Sequence, residues 1–203
     1  MSGDVRRNGA STDTGVVPDW WTAFGYHGVW QVFGLGIPVI WLAFQSPTAD
    51  NLLGPAAIAG LYGLALGVAA GRRGVLGDGW PRLTRRKLGT GVGYSRFLRR
   101  HCLVAATLAL AMFGGVLVGR AGGAVAAGVT GLVVSLACAA AIPTLTDGTR
   151  RSRQARAVVY AAGLAVTLVV ARPFDPATAI ASAPVAFAFL VATAVADLRL
   201  SGE

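Results

Sequence analysis

Six apolar blocks succeed one another along this chain, at residues 27–45, 52–71, 101–119, 122–142, 155–171 and 178–196. A helix rises about 1.5 Å per residue, so roughly 20 apolar residues cross the ~30 Å hydrocarbon layer of a bilayer. A backbone in hydrocarbon must satisfy its N–H and C=O groups internally, which makes each block a helix. Few folds remain open to such a chain. The expectation is an all-α polytopic membrane protein, a bundle of six transmembrane helices arranged as three consecutive hairpins. Composition agrees. With 54% hydrophobic and 13% charged residues and a mean hydropathy of +0.60, a water-soluble surface would lack polar groups to cover it.

The charges orient the bundle. Residues 72–100, RRGVLGDGWPRLTRRKLGTGVGYSRFLRR, hold half of the 18 cationic side chains. A second basic stretch, residues 143–154, follows the fourth block, and Arg156 adds a cation just beyond it. Loops rich in Arg and Lys stay on the cytoplasmic side. Placing both termini inside puts sixteen cations there and leaves only Arg120 and Arg172 outside. The expected topology is therefore N-in and C-in, multi-pass in the cell membrane. Residues 1–19 read as a polar, disordered cytoplasmic tail without a cleavable signal, and residues 200–203 as a second tail. The sequence pI of about 11.0 does not point to nucleic acid, because the cations fill gaps between apolar blocks and form no continuous face with interleaved aromatics.

Trp20, Trp21, Phe24, Tyr26 and Trp30 form an aromatic cluster leading into the first block, where aromatic rings anchor a helix at headgroup level. Asp19 is placed to cap the helix start. Pro38 predicts a kink in the first span, since proline lacks the N–H of a helical hydrogen bond. Small residues recur at intervals of four: Gly63, Gly67 and Gly71 in the second span, and Gly123, Ala127, Gly131, Ser135 and Ala139 in the fourth. Such stripes let helix backbones approach closely, and they are the expected packing faces. LGDGWPR at residues 76–82 and LTDGTRR at residues 145–151 are faintly alike, which would suit a duplicated helix pair.

Chemistry is sparsely signalled. All nine acidic residues fall in loops, tails or helix ends, with Asp197 nearest a span. Arg85, Arg86, Lys87, Arg96, Arg99 and Arg100 are candidates for holding anionic lipid headgroups at the inner leaflet. His27 and His101 begin different spans at similar depth and are candidate metal or haem ligands. Cys102 and Cys138 also lie toward the inner side, without C-x-x-C spacing. No H-E-x-x-H or G-x-S-x-G motif is present, and glycines alternate in KLGTGVG without Walker spacing. No cofactor is expected. The leading expectation is a non-enzymatic transport-type protein or a membrane subunit working with a protein partner or a second copy. The alternatives are an enzyme acting on lipid at the cytoplasmic interface and a haem-binding electron carrier.

Overall fold

The computed structural model describes residues 19–46, 51–76, 91–176 and 181–200, with side chains from residue 95 onward in the third segment. Arg85, Arg86 and Lys87 lie outside the described residues, as do the two tails beyond residues 19 and 200. The described residues form helices and no strand. Five helices are long and apolar enough to cross a membrane: α1 (Trp20–Phe44), α2 (Leu53–Arg72), α3 (Gly91–Leu145), α4 (Arg150–Ala171) and α5 (Ser182–Leu200).

α1 starts where Asp19 Oδ1 accepts a 2.7 Å hydrogen bond from Thr22 N. It then widens into a π-helical stretch, Ala23–Trp30, before resuming α geometry at Gln31 and passing through Pro38. Gly28 lies in the widened stretch because α2 passes there; a Cβ on it would stand 2.6 Å from Ala65 O.

α3 is two helices in one run. Gly123 breaks it at φ 79° and ψ −173°, a conformation open essentially to glycine alone. Beyond the break the chain doubles back. A Cβ on Gly115 would lie 2.8 Å from Ala127 O, and one on Gly119 would lie 2.7 Å from Ala127 Cβ. In a straight helix twelve residues span about 18 Å, so this contact requires two antiparallel arms.

The first arm is buried on all sides from His101 to Ala109, as expected for a helix enclosed by others. α1 meets it where Gly36 faces Leu108, and α4 meets it where Gly163 faces Ala106. α2 lies against both arms: Ala56 is wedged between Gly115 and Gly131, Gly63 meets Leu132 and Ser135, and Gly67 meets Ala139. On the second arm Ala127, Gly131, Ser135 and Ala139 are buried, while Val125, Val129 and Val133 are exposed. Gly123 is the break itself, and Gly60, outside the stripe read from sequence, adds a contact with Ala111. At the end remote from Arg72, Trp41 Nε1 donates to Ser182 Oγ at 3.2 Å and ties α1 to α5.

The exterior is apolar on every helix, with Trp30, Phe44, Val125, Val158 and Val185 each more than two-thirds exposed. Polar side chains are instead sealed inside, among them Thr107, Ser135, Arg156, Thr167 and Asp197. Water would penalise that distribution, and hydrocarbon would not.

Candidate functional site

Two helix starts decide where the buried charges sit. After α3 ends at Leu145, Asp147 Oδ1 accepts from Thr149 N and from Thr149 Oγ1, both at 2.9 Å, and Thr149 Oγ1 accepts from Ser152 N at 3.1 Å. The backbone N–H bond to Asp147, followed by further bonds from Ser152 and Thr149, holds its carboxyl below the usual value. This stacked cap starts α4 at Arg150, five residues before the apolar block begins. The basic stretch at 143–154 is therefore partly helical, and the helix runs 22 residues. Its inward face then reads Ser152, Arg156, Tyr160, Gly163 and Thr167.

α5 likewise continues past its apolar block to Leu200, and its buried face runs Ala183, Leu190, Ala194, Asp197. Asp197 is thereby drawn inside, 1% exposed, against an equally enclosed Arg156. Arg156 Nε donates to Asp197 Oδ2 at 3.2 Å, and Tyr160 Oη donates to the same oxygen at 2.9 Å. Arg99 Nε approaches Asp197 Oδ1 to 3.5 Å from the first arm of α3, near enough for an ion pair but not aligned as a hydrogen bond. Arg156 Nη1 also donates to Leu145 O at 2.7 Å, filling the last carbonyl of the second arm. One carboxylate, two guanidiniums and a phenol thus join both arms of α3 to α4 and α5.

Beside this cluster lies a crevice of about 20 Å³, room for roughly one water molecule. Cys102, Tyr160, Thr167 and Thr193 supply its polar lining, between α3, α4 and α5. Gly163 lets the walls approach; a Cβ there would lie 3.1 Å from both Cα and O of Ala106. The threonines bond back to their own helices, Thr167 Oγ1 to Gly163 O at 2.7 Å and Thr193 Oγ1 to Phe189 O at 2.9 Å. The Cys102 thiol rests against the Thr193 hydroxyl, and both cysteines are free.

The histidines have separate surroundings. His27 pairs with Gln31 Nε2 at 3.4 Å and meets Tyr26 edge-on. The His101 ring lies near the Leu35 backbone of α1 and stands edge-on to Phe189, its Nε2 sealed and without a hydrogen-bond partner among the described residues. Among the described residues no three His, Cys, Asp or Glu side chains gather as a metal site. Of the candidate headgroup residues, Arg99 reaches Asp197, Arg96 is exposed, and Arg100 is half-buried near Arg72.

Sequence reasoning missed Arg156 and Asp197 as intramembrane-type charges because Arg156, at the edge of its block, was counted with the basic inner connection, and Asp197 falls one residue past the sixth block. The signal lay in periodicity: Arg156, Tyr160, Gly163 and Thr167 share one stripe, as do Leu190, Ala194 and Asp197. Fold and cluster together define an all-helical bundle with an apolar exterior, a charged internal lock and helices able to cross a membrane. No family model, curated protein or solved structure matches this chain.

Proposed function

We propose that this chain is a six-crossing protein of the cell membrane, with both termini cytoplasmic, that acts as a small transport-type protein. The two antiparallel arms of α3 support counting six crossings from five helices. Arg72, Arg99, Arg156 and Asp197 then lie at the cytoplasmic end, in keeping with the excess of cations in those connections.

One observation carries the transport reading: polar side chains from three helices converge on a crevice directly beside a buried ion-pair cluster. Ionisable groups inside a membrane bundle are costly, and where they occur they mark pathways for ions and small solutes. The crevice suits a solute the size of water or a bare ion, admitted when the Arg156–Asp197 lock loosens. The rival lipid-enzyme reading would need Asp78 or Asp147 to face arginines in a pocket. Asp147 instead caps α4 in an exposed turn, and Asp78 lies outside the described residues.

The test is flux through proteoliposomes, followed with dyes for protons, potassium and chloride and by light scattering for water and glycerol. One of these should move faster than through empty liposomes, and Ala194→Met, which fills the crevice, should abolish the excess. Flux equal to empty liposomes for every solute, or undiminished in Ala194→Met, would overturn the proposal.

A further inference from the structure

A second group of cations lies at the same end of the bundle. Arg72 closes α2, Arg96 and Arg100 stand one turn apart on α3, and His27 projects from the π-helical stretch of α1. These side chains lie on three helices at one end of the bundle, and α2 packs against both α1, at Gly28, and α3, at Gly67. Arg72 and Arg100 both act electrostatically on His27, and Arg72 and Arg96 both act on Arg100. Arg72 Nε is sealed from solvent and has no hydrogen-bond partner among the described residues. Like charges gathered at one end of a bundle repel one another, and a sealed guanidinium N–H without an acceptor costs further free energy. An oxyanion with several acceptor oxygens relieves both penalties. The planar forks of arginine match phosphate well.

The surroundings identify where the phosphate comes from. Arg73 stacks over Trp20 at 5.7 Å, and Trp21, Tyr26 and Trp30 stand exposed around the same helix start. Exposed aromatic rings of this kind settle at the headgroup level of a bilayer, and basic pockets between helices at that level take anionic headgroups. We infer that Arg72, Arg96, Arg100 and His27 form a cradle for the phosphate of an anionic lipid headgroup. Only the assignment to the inner leaflet rests on the topology proposed above; the binding itself is independent of transport.

Native mass spectrometry of the full chain released from phosphatidylcholine nanodiscs doped with phosphatidylglycerol tests this directly. In Arg72→Gln/Arg100→Gln, affinity for phosphatidylglycerol should fall roughly thirtyfold, the product of about fivefold per cation. Arg150→Gln/Arg151→Gln removes two exposed cations at the same end and should leave retention unchanged. Equal losses in the two double variants would mean diffuse attraction to a basic surface and would overturn the cradle. Displacement by excess inorganic phosphate, with no retention of phosphatidylglycerol, would overturn the lipid assignment. Should the double variant fail to fold, Arg72→Lys keeps the charge and loses the fork; retention equal to the parent chain would count against bidentate recognition. Proteoliposome flux measured alongside separates this outcome from that of the transport proposal.

Discussion

Replacing Asp197 with alanine tests how strongly the internal lock holds the bundle. In the intact chain Arg156 is 1% exposed, and its charge is met by Asp197 Oδ2 at 3.2 Å, with Leu145 O at 2.7 Å as the other close acceptor. Removing the carboxylate leaves an enclosed guanidinium with a neutral carbonyl for company, and leaves the Tyr160 hydroxyl without its acceptor. Breaking a buried pair by deleting one partner costs about 3–5 kcal/mol, and orphaning a buried hydroxyl adds roughly 1–3 kcal/mol. Arg99, at 16% side-chain exposure, can turn toward solvent along its apolar stem, so its loss of Asp197 adds little. Asp197→Ala should therefore lower stability by at least about 3 kcal/mol. Asp197→Leu combined with Arg156→Met should recover most of that loss, because the second substitution removes the stranded charge. Thermal unfolding in detergent, followed by tryptophan fluorescence, of the parent chain, Asp197→Leu, Arg156→Met and the double variant gives all four corners of the cycle. A single-variant cost below about 1 kcal/mol, or additive losses in the double variant, would show that the pair is solvated and the lock does not exist.

The α2–α3 junction predicts a strong asymmetry between neighbouring positions. A Cβ on Gly131 would stand 2.5 Å from Ala56 O, whereas Val133 is 57% exposed. Gly131→Leu should cost more than the ~1–3 kcal/mol typical of overpacking, and Val133→Leu should be tolerated; equal melting temperatures would refute the close approach. Topology is open to reporter fusions: a reporter active only outside the cytoplasm should work near Gly122 or Asp175 and fail near Thr149 or Glu203, and the reverse pattern would sink the N-in arrangement. Asp147 and its cap predict a pH response of defined sign. Its folded carboxyl is depressed chiefly by the Thr149 backbone N–H, so the cap's contribution is complete above the ordinary carboxylate range near pH 4 and fades as pH falls through the depressed value. A carboxyl-carbon NMR titration showing an ordinary or raised midpoint would contradict the hydrogen-bonded turn.

Hydropathy alone determined that this chain is helical and membrane-compatible, because segments long enough to cross hydrocarbon have few other ways to satisfy their backbones. Glycine and alanine at intervals of four were legible for the same reason: side-chain size and helical period are both local properties. Gly123 shows the limit of such reading. The same glycine fits a packing stripe or a chain reversal, and only the antiparallel contact of Gly115 with Ala127 decides between them. The ion-pair cluster was further out of reach. Arg156 and Asp197 stand 41 residues apart, each in a stretch that looks like a solvated helix end. Their burial depends on Thr149 and Asp147 extending α4 backward and on α5 running past Ala196, so that two periodic faces meet Arg99 from a third helix. Whether a charge is sealed or solvated is decided by neighbours distant in sequence, and that information exists only once the helices have packed.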